Sequence, residues 1–256
     1  MGCADSLNAM SRRRFYAPSD SFNAGEQTVT LGSDEARHLR DVLRLKADDE
    51  VFVFDGRGRE FRCVVSTSKR DTAELRIETE VEPAKPESHL QLNLCVGLLK
   101  GEKFDLVVQK ATELGVKKIT PLLTRFADIR LHDAADATKR VARWQRIALE
   151  AAKQSGRAFV PEIRLPVDFE AALDVEGLGV MFAERDGESF EHLTRHTAPQ
   201  LVTALVGSEG GWSDEEIGAA RARNFHVITL GGRILRAETA AITVTALLQH
   251  LFGDLR

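Results

Sequence analysis

The chain has 256 residues, 43% of them hydrophobic and 29% charged, with 35 Lys/Arg against 39 Asp/Glu and a net charge of −4. These proportions exclude a disordered or fibrous class, and the length suits a folded core in one or two domains. A pI near 6.0 argues against a general, charge-driven nucleic-acid binder, and three scattered cysteines, Cys3, Cys63 and Cys95, form neither a disulfide framework nor a CxxC metal site.

A reducing, cytoplasmic compartment is the expectation, since no run approaches the ~20 apolar residues of a membrane span. Two N-terminal patterns are decoys. The start Met1-Gly2-Cys3-Ala4-Asp5-Ser6 matches a loose acylation pattern that six residues meet by chance. Arg12-Arg13-Arg14-Phe15 lacks the apolar segment that an export signal needs after it. Residues 1–10 are read as an unstructured extension.

Short strand-like runs follow at 28–31, 51–54, 61–65 and 73–77, punctuated by Gly32, Asp55-Gly56 and Gly58. One helix interrupts them, with Ser33 as its expected cap and Ala36, Leu39, Val42 and Leu43 on one face. Residues 1–82 therefore read as a small β-barrel crossed by a helix. An acidic stretch, 71–82, with five acids and one arginine, closes it, and Pro83-Ala84-Lys85-Pro86 reads as a linker.

From residue 87 the pattern alternates strand and helix, the signature of a mostly parallel sheet covered on both faces. Strands are expected at 90–99, 118–123, 178–183, 201–206 and 226–230. The helices between and after them bury Phe104, Val107, Val108, Ala111 and Leu114; then Val141, Trp144, Ile147, Ala148 and Ala151; and finally Ala241, Val244, Leu247, Leu248 and Leu251.

Two glycine-rich turns carry the chemistry. Val206-Gly207-Ser208-Glu209-Gly210-Gly211-Trp212 lies between a buried strand and a helix whose start is fixed by a Ser213/Glu216 capping box. It reads either as a tight turn with a cap or as a ligand cradle at a strand's carboxyl end, where glycines let a ligand approach the backbone. Leu230-Gly231-Gly232-Arg233-Ile234-Leu235-Arg236-Ala237-Glu238-Thr239-Ala240 is placed likewise. Glu238 and Thr239 suit a helix start, while two arginines around Ile234-Leu235 suggest a pocket beside groups that meet an anion or RNA. Two such turns at neighbouring strand ends make a cleft. GxxxxGK[ST], GxGxxG and GxSxG patterns are all missing from these turns. His192 and His196, four apart, lack a third ligand in this reading, so no metal is expected. Lys153 and Arg157 suit the end of the long helix, and Gln154 and Arg157 are within reach of a base or phosphate; Lys100 and Lys103 are either phosphate ligands or surface charge.

Taken together, Lys100-Gly101-Glu102-Lys103, 109–116 (QKATELGV), Gln154-Ser155-Gly156-Arg157, Gly207-Ser208-Glu209-Gly210-Gly211 and 232–240 (GRILRAETA) resemble the RsmE family of 16S ribosomal RNA (uracil-N3)-methyltransferases, of the SPOUT class. The resemblance extends to Arg13-Arg14-Phe15-Tyr16 and 38–44 (HLRDVLR), nearly the whole chain. It implies an α/β protein with a PUA-like RNA-binding barrel at 1–82, a trefoil-knotted domain at 87–256, and a homodimer acting on 16S ribosomal RNA or the small subunit. It further implies S-adenosylmethionine as methyl donor, held by Val206, Gly207, Glu209, Gly210, Gly211, Leu230, Gly231, Ile234, Leu235, Arg236, Thr239 and Ala240. Arg236, Glu238 and Arg157 are the expected catalytic groups. RNA contacts are expected from Arg13, Arg14, Arg40, Arg44, Lys100, Lys103, Gln154 and Arg157. Ser208 stands where the family usually has proline. The competing readings are another SPOUT enzyme, such as a ribose 2'-O-methyltransferase, and a non-catalytic RNA-binding assembly factor.

Overall fold

A computed structural model describes residues 12–129, 133–195 and 198–255, so the expected N-terminal extension lies outside the described residues. The chain divides into two compact units, one of residues up to 87 together with 152–160, the other of 88–151 and 161 onward.

The N-terminal unit is a six-stranded sheet. Its strands are β1 (Arg14–Tyr16), β2 (Phe22–Asn23), β3 (Thr28–Leu31), β4 (Glu50–Phe54), β5 (Glu60–Ser68) and β6 (Ala73–Val81), in the order β1-β4-β5-β6-β3-β2. All neighbours are antiparallel except β1 and β4. Alternation sets the core: Val51 and Val53 of β4, and Phe61, Cys63 and Val65 of β5, point inward against Phe15, Val29, Leu31 and Leu39. The helix differs from its expected form. Gly32, not Ser33, is the N-cap of α1 (Ser33–Arg37), and the next turn, His38–Val42, is a π-helix closed by the bond from Leu43 N to His38 O at 3.0 Å. Widening the turn rotates the later residues off the face, so Ala36 and Leu39 are fully buried while Val42 is 67% exposed.

The proline segment is irregular, and its backbone is tied within the N-terminal unit. Ala84 N donates to Glu60 Oε2 at 3.0 Å, and Lys85 bridges to Arg157. Glu60 is fully buried and also accepts from Arg12 Nη1 at 3.2 Å and from Arg14 Nε and Nη2 at 3.2 and 3.1 Å. Arg14 donates onward to the carbonyls of Lys153 and Arg157. These bonds, with that of Lys153 Nζ to Glu35 at 2.7 Å, show why 152–160 belongs with this unit rather than with the domain that its sequence position suggests.

The C-terminal unit begins with β7 (Gln91–Gly97), α2 (Lys103–Glu113) and β8 (Lys118–Leu123), followed by residues 134–151 of α3 (Ala134–Ser155). Then come β9 (Glu162–Ile163), β10 (Val167–Asp168), β11 (Leu178–Phe182), β12 (Glu188–Ser189), β13 (Leu201–Val206), α4 (Asp214–Ala222), β14 (His226–Thr229) and α5 (Ala237–Phe252). Every pairing in this sheet is parallel, in the order β10-β8-β7-β13-β11-β14-β12, with β9 beside β8. Cys95, Met181 and Leu205 enter a cluster with Phe169, Trp212, Ile217 and Phe225, while their strand neighbours Leu94, Val180 and Ala204 are fully buried too, as a sheet covered on both faces requires. On α5 the buried face is Ala241, Val244, Leu248 and Phe252, with Thr245 and Gln249. Leu247 and Leu251, expected in the core, are only half-buried. Among the described residues no helix is long and apolar enough to cross a membrane.

Glu60→Ala leaves Arg14 buried without its carboxylate, a loss of about 3–5 kcal/mol. Urea unfolding is expected to show the transition of the N-terminal unit at a clearly lower midpoint; a change below about 1 kcal/mol would show that the carboxylate does not hold this unit together.

Candidate active site

Parallel register brings together two turns that lie far apart in the sequence. β13 pairs with β11 and β11 with β14, so the carboxyl ends of all three strands share one edge of the sheet. The turn after β13 and the turn after β14 line one cleft of about 500 Å³.

The first turn is held from below. A Cβ on Gly97, at the end of β7, would lie 2.4 Å from Ser208 N, so only glycine lets that strand end meet the loop backbone. Ser208 Oγ accepts from Thr124 Oγ1 at 3.2 Å, a tie that a proline could not make. Trp212 is 1% exposed and donates from Nε1 to the Phe182 carbonyl at 2.8 Å, fastening the turn to the end of β11. The capping box forms as the sequence indicates, and Glu216 also accepts from Arg125 N. Gly211, with φ +71°, sits where a side chain would strike the Glu184 carboxylate.

The cleft gathers Val206, Gly207, Glu209, Gly210 and Gly211 from the first turn. From the second come Leu230, Gly231, Ile234, Leu235, Arg236 and, at the start of α5, Ala240. Thr239 and Glu238 stand outside the lining. Arg236 is the N-cap of α5 and is exposed, with Glu238 in the first turn. Glu238 Oε2 is buried without a hydrogen-bond partner. The sequence reading missed the third wall, Phe182, Ala183 and Glu184 after β11, because an ordinary-looking strand end shows no glycine signature.

Lys103 Nζ and Glu209 Oε1 meet at 2.9 Å across the cleft mouth, and Glu209 also accepts from Lys100 N at 3.2 Å. Burial pushes the Glu209 carboxyl up, but the Lys103 hydrogen bond, backbone amides and the Lys103 charge outweigh it and leave it below its ordinary 4.5.

The expected RNA ligands separate into two sets. Arg157, expected to be catalytic, is 5% exposed and clasps Glu87 within the N-terminal unit, with Nε to Oε1 at 3.1 Å and Nη2 to Oε2 at 2.7 Å. Arg14 is likewise sealed, its side chain 9% exposed. Arg40 is held by Asp41 and by the carbonyls of Lys69 and Arg70. Arg13, Arg44 and Gln154 are exposed, as is Lys100, which pairs with Asp128. His196 lies outside the described residues, but His192 has the near carboxylate that the sequence reading denied it: Glu188, four residues earlier on β12, at 3.3 Å.

A glycine-bounded cleft at the carboxyl end of a parallel α/β sheet has the general form of a small-molecule site. Residues 86–249 match the family model described as RNA methyltransferase domain, and 31–78 the one described as RNA methyltransferase PUA domain. The ribosomal RNA small subunit methyltransferase E of Synechocystis sp. is 34% identical over 94% of this chain and 78% of its own length, and that of Rickettsia conorii 31% identical over 93% and 95%. The crystal structure of a ribosomal RNA small subunit methyltransferase E from Neisseria gonorrhoeae bound to S-adenosyl methionine superposes with a TM-score of 0.84, at 32% identity, over 96% of this chain and 100% of that one. The chain belongs to the ribosomal RNA small subunit methyltransferase E family.

Two outcomes test the geometry. Gly97→Ala is expected to weaken S-adenosylmethionine binding, read by calorimetry, by at least about tenfold, because the loop backbone must retreat; unchanged affinity would show that the loop is not seated on β7. The Glu209 carboxyl lies lower in the folded than in the unfolded chain, so its contribution to stability is complete above pH 4.5 and is lost as the pH falls through the lowered folded value. The stability gap between wild type and Glu209→Gln is therefore expected at pH 7 and should shrink in acid.

Proposed function

We propose that the chain transfers a methyl group from S-adenosylmethionine to N3 of a uridine in 16S ribosomal RNA of the small subunit, in the cytoplasm. The observation that carries this reading is the single cleft in which both glycine-bounded turns meet, in a chain of this family. Its volume falls within the ~300–1,000 Å³ of small-molecule sites. Its chemistry fits the cofactor: Phe182, Val206, Ile234 and Leu235 offer apolar surface for a purine, and the glycine backbone with Glu184 and Glu209 offers polar groups for hydroxyls and an ammonium. When bound, the cofactor supplies a methyl group already activated by its sulfonium.

What remains for the chain is orientation and the removal of one proton. Arg236, exposed at the cleft rim, supplies positive charge where the uracil ring becomes anionic as N3–H ionises. Glu238, with its unpaired buried oxygen in the adjoining turn, either takes that proton or orients Arg236. Arg13, Arg44, Gln154 and Lys100 supply exposed contacts to RNA. The Lys100–Asp128 pair is solvent-exposed and worth little, so exchange of Asp128 for a phosphate costs little.

A homodimer is part of the proposal. Ala240, Thr243, Leu247 and Leu251 recur at helical spacing along α5 and stay half-exposed, and Leu106 and Ile234 are 39% and 87% exposed. A second copy covers such a surface, and the trefoil threading that the family resemblance implies would keep the cleft rim rigid beside it.

Radiolabelled methyl transfer to small subunits from cells lacking the protein, followed by nucleoside analysis, is expected to yield 3-methyluridine. A 2'-O-methylated product would assign a ribose methyltransferase instead, and absence of transfer with cofactor still bound would leave a docking factor. Arg236→Ala is expected to lower kcat by about 10²–10³ while cofactor affinity stays within a few fold. Unimpaired turnover would remove Arg236 from the mechanism.

A further inference from the structure

At the edge of the parallel sheet, Glu188, His192 and His226 each offer one ligating atom, and these three atoms all lie within 4.8 Å of one another. Glu188 Oε2 and His192 Nε2 are 3.3 Å apart, and the rings of His192 and His226 have centroids 5.7 Å apart with an interplanar angle of 38°. We infer that these residues form a binding site for a divalent cation of the zinc type.

The donor set is the first reason. Two imidazoles and one carboxylate match the His₂Glu ligation that zinc accepts, at metal distances of about 2.0–2.2 Å. Ligands of one tetrahedral ion then stand roughly 3.3–3.6 Å apart. The Glu188–His192 separation already has that value, and His226 needs only a modest side-chain adjustment. Side-chain exposures of 56% for Glu188 and 29% for His192 leave room for water in the remaining coordination position.

The scaffold is the second. β12 pairs with β14 in a register that sets Glu188 beside Ile228, so Glu188 and His226, two residues before Ile228, stand on one face of the sheet. Gly187 fixes this register: its N–H donates to Thr229 Oγ1 at 3.1 Å, and a Cβ there would lie 2.6 Å from Thr229 N. His192 enters from the short 3₁₀-helix Phe190–Arg195, four residues after Glu188. Three separate segments thus converge. A cation there would bolt the short edge strand and its helix onto β14, whose last residue Thr229 and the next, Leu230, line the cleft.

The test uses the untagged full chain, stripped of metal by chelator and titrated with zinc chloride in a calorimeter. One equivalent at micromolar affinity, with a rise of several degrees in melting temperature, is the expected result. His192→Gln, His226→Gln and Glu188→Gln should each weaken uptake at least tenfold with an unaltered circular-dichroism spectrum, whereas His89→Gln should change nothing. Should the variants misfold, cobalt(II) added to the wild type decides: intense visible bands of a four- or five-coordinate ion support the site. The weak spectrum of the hydrated ion, or zinc uptake undiminished in the three variants, overturns it. None of these readouts depends on methyl transfer.

Discussion

The functional site depends on one constraint, the all-parallel pairing of β7, β13, β11 and β14. Parallel neighbours point all their carboxyl ends the same way, so turns more than 20 residues apart in sequence must share one edge. Covering helices are the second consequence. A parallel sheet survives only when both faces are dry, and α4 and α5, which follow the two turns directly, supply part of that cover. Fold and site therefore have one cause, since each turn that opens a helix also walls the cleft. The Ser213/Glu216 capping box and Trp212 show how little freedom the first turn keeps once its helix is docked.

Periodicity made most of the second unit legible. β8 and β13 coincide with their apolar runs, and the stripe of α2 is buried from Phe104 to Ala111. The glycine turns were legible for the same local reason, being interruptions between such runs. What failed was non-local. No periodicity announces that Glu184 closes the cleft, because its role comes from the β11–β13 register. Nor does spacing say whether an arginine faces solvent. Arg14 and Arg157 are expected to hold RNA, and no spacing announces that Glu60 and Glu87, 46 and 70 residues away, clasp them. The two-proline segment is irregular, as its prolines require, but no spacing announces that a buried carboxylate fixes its backbone.

Two departures from local rules stand out in this chain. The π-turn at His38–Val42 discards a good helical face, and the unpaired Glu238 oxygen breaks the usual satisfaction of buried polar atoms beside the cleft. A carboxylate held in that state costs stability unless a partner arrives. Under the proposed function, a substrate that brings a ring N–H and then becomes anionic would be such a partner, with Arg236, two residues earlier and exposed as the helix N-cap, sharing the same charge change. An acid with one buried oxygen and an exposed cation thus share one helix start, and under the proposed function that pair would divide proton removal from charge stabilisation.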